Sequence, residues 1–214
     1  MLASCSKPTP PPEAVEKPVP GLISEPLIKE AEQKYGPFAG NRYRAYNDEL
    51  RGLQERPDET KLEAINNFFN QVPYGEDAEV WGKSDYWATP LEFLGRDRGD
   101  CEDYVIAKYF ALRDLGIGSE KLYFAYVKSL RLNREHMVLS YFKTPTSIPL
   151  ILDNTNYKIF PADQRKDLVP VYNFNMRVFF RAGASGENGQ RVRYDRKIHN
   201  QWEQLLRDVE KKKL

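Results

Sequence analysis

Apolar positions recur every three to four residues through the first half of the chain, and nearly every second residue through much of the second half. The first spacing is that of a helix with one buried face, the second that of a half-buried strand. Leu27, Ile28, Ala31 and Tyr35 make a short helical face that ends at Gly36-Pro37. Tyr43, Tyr46, Leu50 and Leu53 repeat the pattern up to Pro57. Thr60 with Glu63 has the spacing of a capping box and predicts a helix start there. That helix carries Leu62, Ile65, Phe69 and Val72 on one side and is closed by Pro73. Residues 74–99 have neither period; Gly75, Gly82, Pro90, Gly95, Trp81 and Trp87 predict an irregular connection. Asp100 then predicts an N-cap. Val105, Ile106, Tyr109, Phe110 and Leu112 continue a helix that stops at Gly116.

Beyond Gly116 the period changes. Leu122 to Leu130 alternates, with Tyr123, Ala125 and Val127 on one face and Phe124 and Tyr126 on the other. Arg131 to Arg134 is a polar turn, and Glu135 to Phe142 is the second strand of a hairpin. Pro149 to Asp153 predicts a third strand and Tyr172 to Phe180 a fourth. Residues 183–189 predict a flexible loop. Ile198, Trp202, Leu205 and Val209 mark a closing amphipathic helix with a Lys-rich end. Helices first and an antiparallel sheet afterwards predict an α+β fold.

Composition changes this picture only at the start of the chain. Residues 1–20 are proline-rich and hold little to bury, so they predict an extended tether before a single domain over residues 21–214. Leu2-Ala3-Ser4-Cys5 looks like a bacterial lipoprotein cleavage box, although no charged and apolar signal segment precedes it. A lipid anchor at Cys5 and a free cysteine in a tail both stay open. With 32 basic and 31 acidic side chains the net charge is +1, and no basic stripe invites nucleic acid. Two cysteines, one of them in the tether, speak against a structural disulfide and a cysteine-rich zinc site.

The chemistry gathers around Asp97-Arg98-Gly99-Asp100-Cys101-Glu102-Asp103-Tyr104. Cys101 falls in the first turn of the predicted helix, where unpaired N–H groups favour a thiolate. Its acidic neighbours act the other way unless a histidinium or a cation offsets them. The chain has two histidines, and His136 lies on the second strand, while Asp153 ends the third. A His and an Asp on adjacent strands, facing the start of the Cys101 helix, would supply a base and the group that orients it. The alternative is a buried structural cysteine and a strand histidine. His199, on the polar side of the last helix, reads as a surface residue.

The segment from about Trp81 to Tyr172 resembles the bacterial transglutaminase-like cysteine proteinases, specifically the LapG family of periplasmic adhesin proteases. The matching features are Asp-Tyr-Trp-Ala-Thr-Pro at 85–90, Gly-Asp-Cys-Glu-Asp-Tyr at 99–104, His136-Met137-Val138-Leu139, and Leu152-Asp153-Asn154. The resemblance implies a papain/transglutaminase-like core. It makes Cys101 the nucleophile, His136 the general base and then acid, and Asp153 the orienting carboxylate. The Cys101 N–H is an oxyanion donor on this reading, with Trp87 either a second donor or a core anchor. It further implies Ca²⁺ held by Asp100, Glu102 and Asp103; without it, these acids read as an N-cap and first-turn charges. It implies a periplasmic enzyme that cuts the N-terminal region of a large surface adhesin next to a pair of alanines, releasing the adhesin and dispersing biofilm. An inner-membrane cyclic-di-GMP receptor of the LapD type would sequester it, and the aromatics of residues 74–87 are a candidate docking surface. Two rivals stay open: transglutaminase or amidase chemistry on the same core, and a non-catalytic binding module.

Overall fold

The computed structural model describes residues 20–175, 178–193, 195–212 and 214. The tether and Cys5 fall almost wholly outside them. Seven α-helices and a seven-stranded antiparallel sheet make up the described chain: α1 (Glu25–Tyr35), α2 (Pro37–Leu53), α3 (Asp58–Asn70), α4 (Asp77–Val80), α5 (Pro90–Arg96) and α6 (Cys101–Asp114) precede the strands, and α7 (Arg196–Glu210) comes after them. The strands are β1 (Leu122–Ser129), β2 (Arg134–Tyr141), β3 (Leu150–Asp153), β4 (Asn156–Pro161), β5 (Leu168–Phe174), β6 (Phe179–Ala182) and β7 (Asn188–Arg191). Their order in the sheet is β4-β3-β2-β1-β5-β6-β7. The predicted α+β fold is what forms.

Helix α6 is the centre of the molecule. Tyr104, Val105, Ile106, Ala107, Tyr109, Ala111 and Leu112 are all buried, so neighbours cover most of its circumference. It packs against α3 and α5 and against β2. The sheet face toward the helices presents Phe124, Met137, Leu139, Leu152 and Phe174 to the same core, while Ala125, Val127, Val138 and Ile151 form a smaller cluster behind. The alternation predicted for β1 is therefore real, and it fixes which side of the sheet meets the helices. Trp202 of α7 closes the core by stacking on Phe110 and meeting Tyr109 and Phe124 edge-on.

Four local expectations need correction. Helix α3 starts at Asp58 after Pro57, so Thr60 and Glu63 lie inside it. A proline at the N-cap with two acids directly after it suffices to start that helix. The reciprocal capping box is instead Thr89–Glu92, opening α5 in the stretch read as irregular. The strand read over Tyr172–Phe180 is two strands, β5 and β6, because Val178 N–H turns back to Asn175 Oδ1. The loop read over residues 183–189 is the turn of a β6–β7 hairpin followed by the first two residues of β7, with Gly186 at φ +76. Strand β4 carries mostly half-exposed residues, too weak a pattern to stand out in the sequence.

Candidate active site

Gly99 lets the chain enter α6. A Cβ there would lie 2.4 Å from Asp103 Oδ2 and 2.8 Å from the Phe93 ring, so only glycine fits. Asp100 occupies the N-cap position with extended backbone, but its side chain makes no cap bond. Asp103, one turn along and fully buried, accepts the Ala88 N–H at 2.9 Å. It thereby ties the Trp87–Ala88 segment to the helix start. Cys101 is the free thiol of the described chain, half-buried at the first position of α6.

The hairpin β1–β2 brings His136 to this point. Val127 pairs with His136, and Tyr126 with Met137. The Met137 N–H is directed at the Cys101 sulfur, which places the thiol beside the residue next to His136. Beyond Leu139↔Leu152 the β2–β3 ladder continues no further toward the turn, and there the two polar residues meet. His136 Nε2 lies 2.9 Å from Asp153 Oδ1, with both side chains out of solvent. An Nε2–H donated to the carboxylate leaves Nδ1 as the basic nitrogen. All three sequence-predicted residues thus belong to one neighbourhood, with Cys101 and His136 lining a cleft of about 770 Å³ together with Trp87, Tyr126, Met137 and Tyr172. Trp87 is the core anchor of the two expectations, with one edge on the cleft. It lines the cleft, and it stacks on Phe124 and Phe174 in the core.

Asp153 is held on every side. Thr155 donates its N–H at 2.8 Å and its hydroxyl at 2.9 Å, and Arg165 Nη2 lies 2.7 Å from Oδ2. Burial pushes its pKa up, but the His136 and Arg165 contacts and the Thr155 N–H outweigh this and hold it well below the usual carboxylate range. Below it sits Lys108, fully buried, donating to Asn66 Oδ1 at 2.8 Å and Asn70 Oδ1 at 2.6 Å. Asn70 passes the link on, its amide donating to the Asp153 carbonyl at 2.8 Å. Sequence reasoning missed Arg165, Thr155, Asn70 and Lys108. Lys108 alone left a trace, as a lysine in a helix with no polar side.

The acids around the thiol make a second feature. One oxygen each of Asp77, Asp100 and Glu102 lies within 4.8 Å of the others. Asp77 was absent from the predicted ligand set; Asp103, which was in it, stands outside this group, engaged with Ala88. Asp77 Oδ1 and Asp100 Oδ1 are buried without hydrogen-bond partners. Burial, then the neighbouring carboxylates, raise Asp77 to about 6 and Asp100 to about 10. The Cys101 thiol donates to Glu102 Oε2 at 3.1 Å. Burial and the charges of Glu102 and Asp100 push the thiol well above its ordinary value, and the Met137 N–H opposes this only in part. Orphaned oxygens in an all-carboxylate group, with no other cation among them, fit a hard divalent ion such as Ca²⁺.

A half-buried cysteine at a helix start, a buried His–Asp pair on the adjoining strands and an antiparallel sheet behind them define a transglutaminase-like thiol enzyme. The chain belongs to the bacterial transglutaminase-like cysteine proteinases, whose family model matches residues 44–169. Among solved structures it is similar to Legionella pneumophila LapG in a calcium-bound form, at 38% identity with a TM-score of 0.72 over 87% of this chain and 99% of that one. It is equally similar to the EGTA-treated form of that protein, at 38% identity and a TM-score of 0.73 over 89% of this chain and 99% of that one. Among curated proteins no sequence match was found. No described helix is long and apolar enough to cross a membrane.

Proposed function

We propose that this chain is a calcium-dependent cysteine endopeptidase with a Cys101–His136–Asp153 triad, acting in the periplasm on the N-terminal region of a large surface adhesin. The observation that carries the chemistry is the buried His136–Asp153 pair at 2.9 Å beside a helix-start cysteine. His136 Nδ1 takes the thiol proton, and Cys101 attacks a peptide carbonyl to form a thioester. The imidazolium then protonates the leaving amine, and the same nitrogen activates water for deacylation. The Cys101 N–H is an oxyanion donor at the head of α6. Asp77, Asp100 and Glu102 are the residues that would hold Ca²⁺, with Asp103 buttressing the helix start behind them. Bound there, the ion supplies positive charge that offsets the carboxylates around the thiol.

The substrate and the regulator rest on likeness to LapG proteases. Cleavage next to paired alanines would release the adhesin and disperse biofilm, and an inner-membrane cyclic-di-GMP receptor of the LapD type would hold the enzyme inactive. The test is proteolysis of the N-terminal fragment of an adhesin from the same genome, by wild type and Cys101→Ala, each with calcium and with a chelator. Cleavage by wild type alone, lost on chelation, is the expected result. Cleavage that survives chelation removes the calcium assignment, and amine incorporation in place of cleavage makes the chain a transferase.

A further inference from the structure

The lining of the cleft is electrically divided. Around Cys101 it carries Glu76, Asp100, Glu102 and Glu135. From β6 to the start of α7 it carries Arg181, Arg193, Arg196 and Lys197. Two of the cleft's cations are already used: Arg134 pairs with Glu76 at 2.8 Å and Lys197 with Asp85 at 2.5 Å. Asp195, amid the basic group, caps α7 by accepting the Lys197 and Ile198 N–H groups at 2.8 and 3.1 Å. Arg181, Arg193 and Arg196 are exposed and, among the described residues, make no ion pair. They rim an apolar floor of Tyr172, Phe179, Val192 and Ile198. In a chain of net charge +1 this is a local feature and not a general excess of base.

We propose that this wall selects substrate: the segment bound along β6 and the head of α7 carries Asp or Glu side chains on one flank of the cleaved bond, paired with Arg181, Arg193 and Arg196. The inference rests on the endopeptidase reading for the cleavage, but not for the binding. Guanidinium groups take carboxylates in two-point contacts that an ammonium cannot form.

The experiment uses the Cys101→Ala protein in calcium and labelled peptides with a common Ala-Ala core. Their flanks are acidic before the core, acidic after it, neutral (Ser and Gln) or basic (Lys). Fluorescence anisotropy should show one acidic peptide bound about tenfold more tightly than the neutral one, as three exposed ion pairs at about two- to threefold each would give. Raising the salt should shrink the difference. Arg181→Gln/Arg193→Gln/Arg196→Gln, all at exposed positions, should bind the acidic and neutral peptides alike. Equal binding of acidic and neutral peptides by the Cys101→Ala protein, preference for the basic one, no binding of any, or a preference that survives the triple substitution overturns the proposal. Wild-type cleavage of the same peptides reports separately on the endopeptidase: cutting without charge preference leaves the protease and removes this wall, and selective binding without cutting does the reverse.

Discussion

Replacing Arg165 with methionine should test whether Asp153 depends on its cationic partner. The two side chains are 4% and 0% exposed and meet at 2.7 Å, so the substitution leaves a buried carboxylate short of its one permanently charged neighbour. Removing one member of a buried pair costs about 3–5 kcal/mol. Asp153 keeps both Thr155 bonds and His136, which sets the expectation at the lower end, about 3 kcal/mol. The second pair, to the 35% exposed Asp167, adds little. Urea unfolding at neutral pH measures the loss. The pH dependence supplies the check on cause. A carboxyl held below its ordinary value contributes stability that is complete above about pH 4 and is lost as the pH falls toward its folded value. Arg165→Met forgoes part of that contribution, so the gap between variant and wild type should narrow below about pH 4. On the proposed mechanism kcat should fall about 10–100-fold with KM little changed, because the carboxylate that orients the imidazole is held less rigidly. A stability loss under about 1 kcal/mol, or a gap that stays constant into acid, refutes the reasoning.

The same site yields three more expected outcomes. Lys108→Met strands the Asn66 and Asn70 carbonyl oxygens but removes a buried lysine whose pKa burial lowers to about 7. The unfolded lysine holds its proton up to its higher ordinary value, so the wild type gains stability as pH rises above about 7, and the variant's deficit in urea unfolding should be larger at about pH 9.5 than at about pH 7; an equal deficit would count against a buried, deprotonating amine. Asp77 and Asp100, both raised, make the folded state take up protons, so the stability of chelated protein should fall between about pH 5 and pH 7. Calcium should stabilise more at the upper end of that range than at the lower, as thermal melting with and without chelator will show; a calcium effect independent of pH would separate the ion from these carboxylates. Finally, Glu102→Gln in chelator should lower the pH at which Cys101 becomes reactive to iodoacetamide, since it removes the nearest negative charge; an unmoved profile would mean that Glu102 does not govern the thiol.

The sequence carried most of the framework because the framework is local. The period of 3.6 that surrounds Ile65 and Phe69 and the alternation of Tyr123 to Val127 depend only on which residues face a core. The hairpin at Arg131–Arg134 set His136 opposite Val127 without any long-range information. What failed to show were residues whose roles exist only after folding. Asp77 lies in a segment without period and reaches Asp100 only because Tyr86 N–H and the Gly75–Gly99 bridge fold that segment onto the head of α6. Arg165, on a turn after β4, joins Asp153 across a sheet edge. The Thr60–Glu63 pair shows the converse: the right spacing for a cap is silent when Pro57 has already started the helix three residues earlier.

The acidic motif poses the question that the triad alone does not. A helix start favours a neighbouring anion by about 0.3–1 kcal/mol, up to about 2 when partly buried. Here that benefit is opposed by Glu102, hydrogen-bonded to the sulfur itself, and by buried Asp100, and the net direction for Cys101 is upward. His136 cannot reverse this by itself, because its Nε2 is committed to Asp153 and the charge of that pair is already balanced by Arg165. Asp100, one of the two carboxylates that hold the thiol protonated, also carries an unpartnered buried oxygen, as does Asp77 beside it. A single cation on Asp77, Asp100 and Glu102 would therefore satisfy those oxygens and remove the field against the thiolate in one step. Dependence on the ion would then be built into the nucleophile's immediate surroundings, with no distant regulatory site required to transmit it.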